Sequence, residues 1–297
     1  MPKAIIRHKF IYLMILPTFI YFLVFSYVPM VGIVIAFKDI QLFKGIWASP
    51  WVGLEHFRTF FGSIQFNRLM GNTLTISLSR ILFGFPIPIL FALLLNEVRI
   101  GVFKKAVQTI TYFPHFLSWV IFGGIIYNLL GPIGAVNLIL NLLGMEKIDF
   151  MTNPSIFRGM LIVTGILKEF GWGAIIYLAA LSGIDGTLYE AARIDGAGKL
   201  RQVWHITLPG IRSTIVLMFV LSLAGIMDAG MEQILILANP LVYSTSDIID
   251  TYVYRIGLQE SNFGLATAVG LFKGVIGTIL IVLGNMIVRR TGERSIW

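Results

Sequence analysis

The sequence predicts an all-α polytopic membrane protein with six transmembrane helices and both termini on one side of the bilayer. Three observations carry this. Of 297 residues, 57% are hydrophobic and 13% charged, with a mean hydropathy of +0.84, far too apolar for a water-soluble domain. Six apolar runs each reach the ~20 residues needed to cross about 30 Å of hydrocarbon. The cations alternate between loops. Lys3, Arg7 and Lys9, then Arg99, Lys104 and Lys105, then Arg193, Lys199, Arg201 and Arg212, and last Arg289, Arg290 and Arg294 supply 13 of the 23 Lys and Arg. Cytoplasmic loops are enriched in Lys and Arg, so these four segments are expected in the cytoplasm. The same rule accounts for the net charge of +8 without invoking nucleic acid. With no cysteine in the chain, a disulfide framework, a thiolate metal site and a cysteine nucleophile are excluded.

The first span is expected over 10–37. It is too long for a signal-peptide core, and it contains Pro17 and Pro29, which membrane helices tolerate when neighbours satisfy the freed carbonyls. A mixed loop from Lys38 to Met70 follows, carrying Trp47, Trp51 and an amphipathic piece, Leu54 to Phe61, suited to the interface. The second span, 72–95, holds Arg80 and the breaker Gly84-Phe85-Pro86-Ile87-Pro88. The third is placed at 110–130, followed by a loop with a short helix at Val136 to Leu143. The fourth, 156–181, has Lys168 and Glu169 at its centre, with Trp172 and Tyr177 at following turns. The fifth, 214–237, contains Asp228 and Glu232; a polar loop from Asn239 to Asn262 leads to the sixth, 265–288, with Lys273 and a Gly270/Gly274 pair at helix-packing spacing.

Charged residues inside spans are expensive and normally face the bundle interior or a water-filled cavity. Asp228 and Glu232, four apart, are expected on one helical face, with Lys273 as a candidate cation. Lys168 and Glu169 beside Trp172 and Tyr177 offer charge next to aromatic faces, on which sugars stack, and Arg80 is a further candidate for partner or substrate. The competing interpretation is that these charges neutralise one another and fix helix packing. The four histidines, His8, His56, His115 and His205, are scattered and read as interfacial or packing residues.

Between the fourth and fifth spans lies a polar island, 185–212. Thr187 and Glu190 have capping-box spacing, Leu188, Ala191 and Ala192 share one side of the short helix they begin, and Gly196 allows the left-handed turn that stops it. A second helix follows, with Leu200, Val203 and Trp204 on one face and Lys199, Arg201, Gln202 and His205 on the other. The string Gly196-Ala197-Gly198-Lys199-Leu200 is not a phosphate-binding P-loop, because Arg193 stands where the leading glycine belongs and Leu200 where a hydroxyl residue belongs.

Glu190-Ala191-Ala192, Asp195-Gly196-Ala197 and Ile206-Thr207-Leu208-Pro209 resemble the EAA loop of the membrane subunits of binding-protein-dependent ABC importers. Gly198, Leu200 and Val203 depart from the common residues but keep small or apolar character. Leu16-Pro17, Tyr27-Val28-Pro29-Met30, Ile35-Ala36-Phe37-Lys38-Asp39, Phe113-Pro114-His115-Phe116-Leu117-Ser118-Trp119 and Glu232-Gln233-Ile234 are similar to the carbohydrate branch, of the LplB and YteP type. The resemblance implies a type I importer (MetI-like) permease fold as a single domain over 1–297 in a bacterial inner membrane. It also implies that Glu190, Ala191, Ala192, Asp195 and Gly196 meet an ATPase subunit. The implied partners are a second homologous permease, two ATPase subunits, an extracytoplasmic solute-binding protein, lipid and a carbohydrate. No cofactor is expected in this chain, ATP and Mg belonging to the ATPase, so the subunit is non-catalytic. The substrate-path candidates are then Asp228, Glu232, Lys273, Lys168, Glu169, Trp172 and Tyr177. Whether the oligosaccharide is neutral or uronate-containing stays open, and an ion-coupled secondary transporter using Asp228 and Glu232 is the alternative.

Overall fold

The computed structural model describes residues 8–290; Lys3, Arg7 and Arg294 of the basic ends lie outside the described residues. Those residues are almost entirely helical. Five stretches are long and apolar enough to cross a membrane: Phe10–Phe37 (α1), Ile64–Glu97 (α3), Trp119–Leu142, Pro154–Ser182 (α7) and Phe263–Met286. A sixth arises if Lys199–Gly210 (α9) and the helix after it, bent from it by 63°, count as one span.

The chain divides into two compact units, one running up to Phe66 and including Tyr252–Lys273, the other containing Asn67–Thr251 and the chain from Gly274 onward. In the first unit, α1 is apolar on all sides and nearly all its side chains are exposed, as expected of a helix whose solvent is lipid or a partner span. From Val28, with Pro29 in its first turn, it tightens into 3₁₀ geometry. Lys38 then turns inward. Its ammonium donates to the carbonyls of Ile46 (2.9 Å) and Trp47 (2.8 Å), closing the loop after the span. The amphipathic helix Glu55–Gly62 (α2) buries Phe60 against Phe61, Phe66, Tyr252 and Phe272.

In the second unit α7 is the axis. At 29 residues it is about 43 Å long, at ~1.5 Å per residue. Its first half joins an apolar cluster through Phe157, Met160 and Leu161, with Phe122, Ile126 and Ile234. Its last half joins another through Ala174, Tyr177 and Leu181, with Ile89, Ala92 and Ile211. Between them, Thr164 to Trp172 are left for polar work. Gly101–Phe116 (α4) crosses α7 closely at Gly171, where a Cβ would collide with the Thr111 carbonyl; small residues let membrane helices approach this way.

The structure differs from the sequence reading at several boundaries. The second helix extends from Ile64 to Glu97 rather than 72–95, with a π turn at Arg80–Gly84. The run expected at 110–130 is split: α4 ends at Phe116, and Trp119–Leu130 (α5) begins after Ser118, whose hydroxyl accepts from the Ile121 amide (3.3 Å). Ala135–Leu142 (α6) follows. The run expected at 214–237 is also split, into Arg212–Ala224 (α10) and Met231–Leu237 (α11), by the irregular stretch 225–230. The expected polar loop after it is not solvated in its first half. Ser246, Asp247, Ile248 and Ile249 are buried, held by Asn72 Nδ2 on the Asp247 carbonyl (3.0 Å), Thr73 Oγ1 on the Ile249 amide (3.1 Å) and Arg158 Nε on the Thr245 carbonyl (3.1 Å). Helix Ile249–Tyr254 (α12) and the long helix Phe263–Arg290 (α13) complete the described residues.

Candidate functional site: an aromatic-walled cavity and an external elbow

The middle of α7 faces a cavity of about 480 Å³ lined by Arg80, Phe85, Trp119, Glu169, Trp172 and Tyr177 among others. Arg80 reaches it from the π turn of α3. Its guanidinium donates to the amide oxygen of Gln233 on α11 and lies against Gly165 and Gly230, where any Cβ would crowd or displace it. Gly230 has φ +84°, a conformation that favours glycine, so the same residue turns the chain and makes room for the cation. Gln233 is fully buried and donates to the Leu161 carbonyl (2.9 Å) and Thr164 Oγ1 (2.8 Å), which locks α11 to α7.

Glu169 points at the cavity with its side chain half exposed, and both its oxygens are engaged. One accepts from His115 Nδ1 at 2.7 Å; the other lies 3.5 Å from Lys168 Nζ. Lys168 itself is buried behind the wall, bonded to the His115 carbonyl (2.9 Å) and 5.4 Å from the Trp119 ring. The His115 ring stacks on Trp172 at 4.5 Å with planes 1° apart. Asp228 and Glu169 are within electrostatic reach of Arg80. The result is a pocket with aromatic walls and one guanidinium, its lining acid Glu169 already paired.

Among the sequence candidates, Glu169, Trp172 and Tyr177 line this cavity and Lys168 supports it from behind. Asp228 and Glu232 do not share a helical face, which corrects that expectation: Asp228 sits in the irregular stretch and Glu232 in the first turn of α11. Asp228 is within electrostatic reach of Arg80, and Lys273 lies on α13. His115, read from the sequence as a packing residue, is the one that sequence reasoning undervalued. Its signal was local, because Pro114-His115 closes α4 just before the break at Leu117.

The elbow stands apart from the cavity. Helix Gly186–Ile194 (α8) is capped by Asp185, whose carboxylate accepts from the Thr187 amide (2.9 Å). This corrects the expected Thr187–Glu190 capping box: the helix starts two residues earlier, so Thr187 is already inside it. At the other end the Gly196 amide bonds to the Arg193 carbonyl (3.1 Å) and the Ala197 amide to the Ala192 carbonyl (2.8 Å), with Gly196 at φ +74°. That is the paired-bond helix stop that a left-handed glycine permits. Tyr189 Oη and Thr207 Oγ1 (3.0 Å) tie α8 to α9. Gln202, expected on the polar face, is instead buried and donates to the Ala197 carbonyl (2.8 Å), because the turn needs an internal donor. Glu190, Ala191, Asp195 and Gly196 are exposed and Ala192 half-buried, and around them Leu188, Ile194, Leu200 and Trp204 present exposed apolar surface. Lys199 reaches away from the elbow to Glu97 at the end of α3 (2.6 Å).

A helical membrane bundle with a lined cavity at mid-helix and a rigid polar elbow outside it defines a transport subunit. The chain belongs to the family of binding-protein-dependent transport system inner membrane components, whose model matches residues 84–293. It is therefore a multi-pass membrane protein of the MetI-like permease fold. It is 49% identical to the polygalacturonan/rhamnogalacturonan transport system permease protein YteP of Bacillus subtilis (strain 168), over 99% of this chain and 92% of that one. Identity to protein LplB of the same organism is 44%, over 99% and 93%. Among solved structures, a chain of a bacterial alginate ABC transporter, in complex with alginate pentasaccharide-bound periplasmic protein, superposes with TM-score 0.92 at 42% identity, covering 99% of both chains.

Proposed function

We propose that this chain is the membrane-spanning permease subunit of an ATP-driven importer of an acidic, uronate-containing oligosaccharide. The observation that carries the reading is the cavity at the middle of α7. There the Arg80 guanidinium, which can receive a carboxylate, shares a wall with Trp119 and Trp172, which can receive sugar faces. Relatives whose names specify polygalacturonan, rhamnogalacturonan and alginate support the acidic choice over a neutral sugar. The path is assigned to Glu169, Trp172 and Tyr177 with Arg80 and Asp228, Lys168 holding the wall, and Glu232 and Lys273 kept as further path residues.

In this proposal a second, homologous permease completes the path, and an extracytoplasmic binding protein delivers the sugar. Two ATPase subunits, which hold ATP and Mg, dock on the two elbows. Glu190, Ala191, Ala192, Asp195 and Gly196 make the contact. Both termini and the elbow lie in the cytoplasm, as the cation distribution indicates. Closure of the ATPases pushes α8, and the Tyr189–Thr207 link passes the push to α9 and the spans. The test is to purify the chain with its copurifying partners, reconstitute them in liposomes, and measure ATP-dependent uptake of oligogalacturonate. Uptake that needs no ATPase and collapses with an uncoupler would defeat the reading in favour of ion coupling.

A further inference from the structure

His115 does not line the cavity, yet it touches three of the groups that shape it. Its ring covers one face of Trp172 at 4.5 Å, its Nδ1 takes one oxygen of Glu169 at 2.7 Å, and its carbonyl fixes the Lys168 ammonium at 2.9 Å. That ammonium lies 3.5 Å from the other Glu169 oxygen. Both oxygens are thus held by groups of α4 and α7.

This matters because Glu169 is the cavity's intrinsic obstacle to an anion. A bare carboxylate half exposed in a low-dielectric pocket repels a second carboxylate strongly, whereas one already paired repels it weakly. We propose that His115 is a positioning residue for charge selectivity: it holds Glu169 paired, so that an acidic sugar meets the Arg80 guanidinium and a neutralised acid instead of a free carboxylate. The proposal rests on the carbohydrate reading above. It assigns to one imidazole the discrimination between charged and uncharged sugars, and to the Trp172 stack the fixing of that imidazole's plane.

The experiment compares uptake of oligogalacturonate with uptake of its fully methyl-esterified form, in liposomes containing the whole complex and one binding protein. The two probes differ in charge rather than in sugar. Taking each variant's acid-to-ester ratio relative to wild type cancels the binding protein's own preference. His115→Phe keeps a flat ring against Trp172 but removes the donor, and its ratio should fall about tenfold, equivalent to ~1.4 kcal/mol. His115→Gln, which retains a donor, should stay near wild type. Adding Glu169→Gln to His115→Phe should bring the ratio back to the wild-type value or above it. Equal loss of both probes in His115→Phe, or no change in its ratio, would show that the ring only packs and would overturn the proposal. Should His115→Phe fail to assemble, Glu169→Gln alone decides: with Lys168 left unneutralised the ratio should rise several-fold, and an unchanged ratio rejects the idea. If the wild-type complex moves neither probe, the carbohydrate reading itself falls and this proposal falls with it, a pattern distinct from any variant effect.

Discussion

Arg80 and Gln233 stand 153 residues apart in sequence, and the guanidinium of the first donates to the amide oxygen of the second. This hydrogen bond joins α3 to α11, while the Gln233 amide nitrogen joins α11 to α7. Three helices therefore meet at one fully buried amide. Replacing Gln233 with Leu should lower the stability of the solubilised protein by about 1–3 kcal/mol, since Arg80 loses its acceptor inside the bundle. Glu at the same place keeps an acceptor and should cost less. Thermal unfolding in detergent compares the two; equal melting temperatures for wild type and Gln233→Leu would contradict the locking role.

Gly196→Leu separates elbow geometry from folding. A Cβ there meets nothing within 4 Å, so the cost is the left-handed backbone alone, about 1–2 kcal/mol. The chain should insert and accumulate, while ATPase copurification and uptake are lost. Gly196→Asn, which tolerates that conformation better, should retain part of both. Normal uptake by the Leu variant would remove the elbow from the coupling pathway.

Asp185 makes the start of α8 sensitive to pH. Hydrogen bonds from Thr187 hold its carboxyl below the usual carboxylate value of 3.8. The cap accordingly contributes fully above that value and is lost as pH falls through the lower folded value. The protection factor of the Thr187 amide, its exchange rate relative to an unstructured amide at the same pH, should fall in acid in the native protein. Asp185→Asn should show protection without that acid dependence, and Asp185→Ala low protection at every pH.

The Lys199–Glu97 pair is exposed on both sides, so it should contribute no more than about 1 kcal/mol to stability and weaken with salt. Its expected effect is on coupling. Glu97→Lys and Lys199→Glu should each raise ATP hydrolysed per sugar imported without lowering the melting temperature, and the exchanged double variant should recover the native ratio. Two single variants with unaltered stoichiometry would reduce the pair to surface decoration.

The fold class was legible because apolar runs and alternating cations need no knowledge of neighbours, and the elbow was legible because Gly196 announces a left-handed turn locally. The break between α10 and α11 was not. Gly225-Ile226-Met227-Asp228-Ala229-Gly230 sits in a run that reads as one apolar span interrupted by a single acid, and the need for glycine at 230, from its φ of +84° and from the Arg80 guanidinium lying against it, is visible only in the fold. The surroundings of the charges were equally hidden. Helical spacing joined Asp228 to Glu232, but the tertiary fold brings Asp228 within electrostatic reach of Arg80 from α3. His115 was overlooked because its importance lies in what it touches, Trp172 and Glu169, both more than 50 residues away in sequence.

Glu97 closes the helix that carries Arg80, roughly 25 Å away along its axis at ~1.5 Å per residue, and Lys199 opens the second helix of the elbow. One rod thus has the cavity at one station and the elbow at the other. Linkage then runs in both directions: whatever preference a docked ATPase imposes on sugar binding through that rod, bound sugar must impose, by the same factor, on the docked ATPase. An empty permease and a loaded one would differ in their grip on the motor, and the motor could sense cargo without ever touching it.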